Sequence, residues 1–453
     1  MTNNSVIKNL SKIFLYFLLI ILGIANYFNA FYGSVFNNEF FYYLGIFILV
    51  ISTFYLFISP SKAILLLPIS CVLIPEFELF GYKIIFLDLV YIILLFYVLF
   101  NKFNLSFNFR IKSKLFGIGS FIFLIFLFST IQEMLRTTQY MTPILFFLKY
   151  VEYSTFYLIV LSYLENKDIS VKRFEFAIIL YAYCISFYGI YSLNIYPRAT
   201  APFEGVNYEP NTMACMTLFI IPVLIGFIIE NQNGLLCRIF LLFVTIQSFV
   251  VFIFTLSRTG YIACFGMIIA ALFFIKKVSN RVLYLFFIVY IAVFCIPDSV
   301  YLRFNTILDG SGKFLFNLPF VGSTVLNTSD SAIIRLEKYD YILNKVFPFV
   351  KIFGRGINGV GFVDGLYIKF LGELGLFGIL FLFIILKSVW PKASKDKQNY
   401  NDIIIGNSFK IGFIGLLIFS LFANTFILYR VLSPFICIMI YLKIREKNKL
   451  RIC

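Results

Sequence analysis

Apolar residues in this chain fall in long, nearly unbroken runs, not in the two-residue alternation of a half-buried strand or the narrow stripe of a soluble helix. Runs near 12 to 31, 40 to 59, 62 to 75, 83 to 101, 114 to 131, 143 to 164, 174 to 195, 211 to 230, 236 to 256, 258 to 276, 281 to 297, 364 to 387, 404 to 424 and 430 to 443 each read as a helix. A helix needs about 20 residues to cross the bilayer hydrocarbon, and most of the runs reach or approach that length. The third is short and stops at Pro75, and the last is short too, so either suits a re-entrant segment. The pattern therefore predicts an all-α polytopic membrane protein of about 12–14 transmembrane helices. No small-residue cleavage site follows the first run, which is read as an uncleaved first helix.

Between the eleventh and twelfth runs lies one large loop, and it divides the chain into 1–297, 298–363 and 364–453. Within it, 330 to 346 has helical periodicity. Ile333, Leu336, Tyr339, Leu343 and Val346 recur at spacings of three and four, while Arg335, Lys338 and Lys345 share an arc of about 80° on the other side. Ser329 or Asp330 is placed to cap this amphipathic helix and Pro348 to end it.

Composition agrees with the pattern. Hydrophobic residues make up 61% of the 453 and charged ones only 13%, half of the roughly 25% usual in soluble domains. The net charge of +16 would suit nucleic acid in a soluble protein, but here it has a simpler source. With the N-terminus inside, 24 of the 38 Lys and Arg fall on inner segments, among them Lys8, Lys12, Arg110, Lys112, Lys276, Lys277, Lys392, Lys395 and the tail from Lys443 to Arg451. Basic residues are retained on the cytoplasmic side, so both termini are expected inside and the large loop outside. No nucleic-acid partner is expected.

Histidine is absent, which removes imidazole bases, Ser-His and Cys-His pairs and His-containing zinc sites. The eight cysteines show no CxxC spacing and read as small hydrophobes. Chemistry must run on carboxylates, Arg, Lys, Tyr, Ser or backbone, with no metal and no cofactor expected. No internal repeat marks two transporter-like halves.

Four groups of residues carry chemistry. Arg198, Glu204 and Glu209 share the loop after the seventh run, with Asn211 placed to cap the eighth helix. Ser257, Arg258, Thr259 and Gly260 form a hairpin that puts Arg258 at the outer surface, as a phosphate ligand or as an arginine reaching lipid headgroups. Arg335 precedes Gly354, Gly356 and Gly359, whose GxGxxG spacing lacks the βαβ context of a dinucleotide site and is read as a tight re-entry into the membrane. It delivers Asp364 to a helix start, as base or as cap. Finally, Lys149 with Glu152 and Lys369 with Glu373 are ion pairs within helices, either self-neutralised or lining a cavity for lipid phosphate.

Taken together these motifs resemble the Wzy-type O-antigen polymerase and O-antigen ligase superfamily. The resemblance rests on Arg198 followed by Pro210, Asn211 and Ala214, on Ser257, Arg258 and Gly260, and on Arg335 before Gly354 and Gly356 with a closing Glu373, Leu374, Gly375, Gly378. It covers roughly the last 260 residues in motifs. It implies a metal-independent membrane glycosyltransferase of the bacterial inner membrane, acting at the periplasmic face on undecaprenyl-pyrophosphate-linked oligosaccharide in lipopolysaccharide or related polysaccharide biosynthesis. Membrane lipids and a chain-length regulator protein are the further partners implied. Arg198, Arg258, Arg335 and Lys338 would hold pyrophosphate, and Asp364 or Glu204 would act as base. Ligases of the superfamily carry His-Asn where this chain has Asp364 and Gly365, which favours a repeat-unit polymerase over a ligase. A transporter or flippase of lipid-linked oligosaccharide is the alternative outside enzymes.

Overall fold

The architecture is that of a computed structural model describing residues 38–74, 77–79, 82–103, 113–137, 140–164, 170–202, 210–230, 235–275, 337–361, 363–390 and 400–450, with 16, 19–23 and 335 besides. Twelve α-helices stand among them: α1 (Asn38–Ile58), α2 (Pro60–Leu73), α3 (Phe86–Phe103), α4 (Ser113–Arg136), α5 (Met141–Leu164), α6 (Val171–Ser192), α7 (Pro210–Glu230), α8 (Leu235–Phe254), α9 (Arg258–Phe274), α10 (Leu366–Val389), α11 (Tyr400–Phe419) and α12 (Tyr429–Leu450). Each matches one of the apolar runs. The first run lies mostly, and the eleventh wholly, outside the described residues, as do most of the 298–363 loop and the caps Ser329 and Asp330. Among the described residues, five helices are long and apolar enough to cross a membrane, Met141–Leu161, Val171–Ser192, Pro210–Glu230, Leu235–Phe254 and Leu366–Lys387, and five shorter apolar helices accompany them. The chain is a multi-pass helical membrane protein.

One element departs from the all-helical expectation. β1 (Phe77–Leu79) and β2 (Tyr82–Ile84) pair antiparallel with Glu78 opposite Lys83. The hairpin follows α2, the short third run, which Pro60 starts and which spans about 21 Å at 1.5 Å per residue, less than the bilayer core. Pro60 also keeps Ser59 out of the helical region (φ −149°, ψ 80°), so α1 and α2 meet at a one-residue corner.

The bundle is built around α7, whose Thr212–Ile228 stretch is buried throughout. α11 packs along it with α9 on its other side, and α6, α8, α2 and α12 complete the main core. Small residues set the close approaches: Gly412 lies against the Phe219 carbonyl and Gly226 against Ser408. A smaller core of Phe126, Tyr150, Ile357, Leu366, Phe370 and Leu374 joins α4, α5 and α10 beneath the glycine-rich segment. Lipid-facing positions are apolar, as on α1, where Tyr43, Phe47, Val50, Phe54 and Phe57 are exposed at spacings of four and three.

Contacts between helix ends sort into two faces. At one, Arg445 of α12 pairs with Glu230 at the end of α7, and Asn407 of α11 donates to the Phe274 carbonyl at 2.8 Å. At the other, Leu366 N–H of α10 donates to Ser420 just beyond α11 at 2.9 Å, and Ala199 N–H to Phe254 at the end of α8 at 2.9 Å. The second face carries the candidate site.

Candidate functional site

Arg335 lies on a helical turn, residues 337–340 continue it, and Tyr341–Val346 are wound as a π-helix closed by Phe347 N–H on the Ile342 carbonyl at 2.8 Å. The wider turn shifts the buried side by one residue. Ile342 and Val346 are buried and Leu343 only partly, so Ile342 takes the place expected of Leu343 on the apolar face while Val346 keeps its own. Ile333 and Leu336 of that face lie outside the described residues. Lys338 is half-buried on the same turn.

Arg335 Nε donates to Asp364 Oδ2 at 2.6 Å, so the anion ligand and the carboxylate expected from sequence are paired with each other. Asp364 is not a helix cap. The N-cap of α10 is Gly365, at φ +99°, and the first amide finds the Ser420 carbonyl. Gly365 is required there by crowding as well as by φ, because a Cβ would fall 2.4 Å from Tyr339 Oη and 2.8 Å from the Leu421 carbonyl. Tyr339 O–H donates to that carbonyl at 3.1 Å, and Asn424 Nδ2–H to Val363 O at 2.6 Å. Burial, with the Asp364 carboxylate, pushes the Tyr339 phenol up to about 12 against the opposing pull of Arg335, which keeps it a neutral donor. Both members of the ion pair keep nearly a third of their side chains exposed, 29% and 27%. Among the described residues no partner engages the Arg335 Nη groups or Asp364 Oδ1. The pair therefore offers a guanidinium edge and a carboxylate oxygen side by side.

The glycine-rich segment, read from sequence as a tight re-entry, packs against a break in α10. Gly375 sits at φ 64°, ψ −150° inside the helix, which frees the Gly372 and Glu373 carbonyls and the Leu376 and Phe377 amides. Residues 351–356 take all four: Arg355 N–H to Gly372 O (2.8 Å), Gly356 N–H to Glu373 O (2.9 Å), Leu376 N–H to Lys351 O (2.9 Å) and Phe377 N–H to Ile352 O (3.4 Å). Gly354 at φ 69° and Gly356 at φ 114° admit this path. The last turns of α4 receive the segment on one face, where Ser129, Gln132, Glu133 and Arg136 follow at helical spacing. Arg136 Nη2 bonds Glu133 Oε1 at 3.0 Å and the Gly359 carbonyl at 3.4 Å, and a Cβ on Gly356 or Gly359 would strike Glu133. Glu133 was not singled out from the sequence, since no motif links the end of α4 to a loop more than 200 residues away.

Glu373 is fully buried and both its oxygens are used, Oε1 by Asn358 N–H at 3.1 Å and Oε2 by Tyr150 O–H at 2.8 Å. Lys369 stands 4.0 Å from Oε1. The other pair gains a member the sequence did not reveal: Lys149 bonds Asp88 as well as Glu152, the latter at 3.3 Å. Asp88 Oδ2 also accepts the Ile85 amide at 3.1 Å, at the start of α3.

A second group gathers at the α8–α9 turn. Arg198 Nη2 donates to the Leu256 carbonyl at 3.0 Å, next to Ser257 and Arg258. Ser257 caps α9 by accepting from Gly260 N–H at 3.2 Å, and its hydroxyl bonds Asn211 Oδ1 at 2.9 Å. Asn211 thus lies inside α7 and ties it to the turn, where it was expected as a cap. Arg198, Asn211 and Ser257–Arg258, separate in sequence, form one unit. Glu204 and Glu209 lie outside the described residues. Arg430, in the first turn of α12, is a further arginine on this face, 2% exposed, with Nε on Tyr429 Oη at 2.7 Å. No family model matches the chain, and no characterised protein matches it in sequence.

Proposed function

We propose that the protein is a polysaccharide repeat-unit polymerase that transfers a growing glycan from undecaprenyl pyrophosphate to the next lipid-linked unit. The observation that carries the reading is the partly exposed Arg335–Asp364 pair, with its open guanidinium and open carboxylate oxygen. The acceptor hydroxyl oxygen bonds the anomeric carbon of the donor as the bond from that carbon to the pyrophosphate oxygen breaks. The hydroxyl proton passes to Asp364, or to Glu204 from the first loop, and the leaving pyrophosphate keeps the electron pair. Arg335 binds that anion with its paired N–H groups, and Arg198, Arg258 and Lys338 add positive charge. Positive charge on the opposite face, where Lys62, Arg173, Lys443 and Arg445 lie toward helix ends, supports cytoplasmic termini and a periplasmic site in a bacterial inner membrane. The Asp364-Gly365 pair in place of His-Asn supports a polymerase over a ligase.

Purified protein in detergent, given lipid-linked repeat units and no membrane potential, is expected to produce a ladder of extended chains. A preparation that binds the lipid-linked unit and never extends it would sink the enzyme reading. The break at Gly375 favours a second reading, since transporters place broken helices and buried charges such as Lys369 and Glu373 at substrate sites. Potential-dependent movement of the same lipid across vesicles, without extension, would select it.

A further inference from the structure

Two lysines sit inside helices below the site face, and the structure spends their donors differently. Lys149 bonds two carboxylates, Asp88 and Glu152. Lys369 is 6% exposed, and Glu373, its partner by sequence, has given both oxygens to Tyr150 O–H and Asn358 N–H. What remains near the Lys369 ammonium is Glu373 Oε1 at 4.0 Å, beyond hydrogen-bonding distance, and the Phe146 ring, with its centroid at 5.4 Å. Among the described residues it makes no hydrogen bond. A lysine buried along most of its length, whose ammonium fills none of its three donors with a hydrogen bond, gains when an acceptor arrives. Lys369 also lies in the first turn of α10, five residues beyond Asp364, where helix amides favour an anion.

We propose that Lys369 is a phosphate ligand, its ammonium binding a phosphate oxygen of an anionic lipid at the start of α10. The phosphate chemistry stands on the geometry of Lys369. Naming that phosphate as the donor's pyrophosphate rests on the polymerase reading, and would place Arg335 and Lys369 on one leaving group. Glu373 is then a positioning residue for the Asn358 turn and Tyr150, not the neutraliser of Lys369.

The test is titration of the purified full chain with farnesyl pyrophosphate, with farnesol and phosphatidylglycerol in parallel, for wild type, Lys369→Met and Lys369→Met/Glu373→Gln. Glutamine retains an acceptor for Asn358 N–H and a group for Tyr150, while the double variant removes both charges together, so it carries the measurement if the single variant fails to fold. Loss of a charge-assisted hydrogen bond predicts at least about tenfold weaker farnesyl pyrophosphate binding in both variants, with farnesol unchanged. Stronger Lys369-dependent binding of farnesyl pyrophosphate than of phosphatidylglycerol identifies the donor as the source of the phosphate, and equal binding identifies a bilayer headgroup. Wild-type affinity in Lys369→Met, or its recovery in the double variant, would mean that Lys369 only balances Glu373 and would overturn the proposal. Lys369-dependent binding in a wild-type protein that never extends chains would leave the phosphate site standing and remove the polymerase reading.

Discussion

A guanidinium bonded to a carboxylate through Nε keeps its two terminal nitrogens free, and this decides how Arg335 should respond to substitution. Lysine has one ammonium, which cannot hold Asp364 Oδ2 and present two further donors in a planar fork. Arg335→Lys is therefore expected to lose polymer at normal protein levels, in a lipid-linked extension assay, while Lys338→Met loses less. Full-length polymer from Arg335→Lys would reduce the role to simple charge. Asp364→Asn separates two further roles. Asparagine can still accept from Arg335 Nε but cannot take a proton, so extension should slow at least about a hundredfold with donor binding retained. If Asp364→Asn extends normally and Glu204→Gln does not, the base belongs to the first loop and Asp364 serves only to orient Arg335. Residue chemistry was legible in sequence where neighbours share one helix, as for Lys149 with Glu152. It was not legible for Asp88, Tyr150, Glu133 and Arg430, whose roles depend on which helices pack together and leave no local spacing.

At the scale of elements, α10 shows why a long apolar run conceals its own break. The run from 364 to 387 has the length and hydropathy of a straight span, and nothing in its periodicity marks Gly375 as non-helical. What stabilises the break lies elsewhere in sequence, in the backbone of 351–356, which takes up the four groups that the break releases. Gly375 and Gly361 both have positive φ, 64° and 69°, but only Gly375 is enclosed. A Cβ there would meet the Ile352 carbonyl oxygen at 2.5 Å and Gly354 N at 2.6 Å, whereas Gly361 has nothing within 4 Å. Gly361→Ala should thus carry backbone strain alone, on the order of 1 kcal/mol. Gly375→Ala adds a collision with backbone and the loss of the bonds from residues 351–356, and is expected to cost more than twice as much. Thermal unfolding of the two purified variants in one detergent checks this, and equal midpoints would mean that residues 351–356 are not held by the break. The π-wound turn at Tyr341–Val346 was hidden for a related reason: an α-helical stripe through Leu343 and a π-helical one through Ile342 read almost alike over six residues.

For the whole molecule, the bounds of the helices followed from hydrophobic run lengths because lipid imposes one requirement on every span, and twelve of the fourteen runs coincide with described helices. Their directions now add a constraint that run lengths lack. Arg445 with Glu230 and Asn407 with Phe274 gather at one face the ends of α7, α9 and α12 and the start of α11, and the Leu366–Ser420 and Ala199–Phe254 bonds gather opposite ends at the other. A reversal of any one of these helices would break contacts at both faces, so the bundle inverts as a unit or not at all. Sidedness then depends on charge alone. The face away from the site adjoins the 387 to 403 loop and the basic tail, while the face bearing Asp364 adjoins the 298–363 loop. Retention of Lys and Arg on the cytoplasmic side predicts that a phosphatase fusion after Ser311 is active and one after Lys395 inactive, with a cytoplasmic reporter giving the reverse pattern. Because the helices are coupled, the two fusions must disagree with each other, whichever way the bundle faces. An inactive fusion after Ser311 with an active one after Lys395 would turn the Arg335–Asp364 pair toward the cytoplasm, out of reach of a lipid-linked glycan already delivered to the outer leaflet.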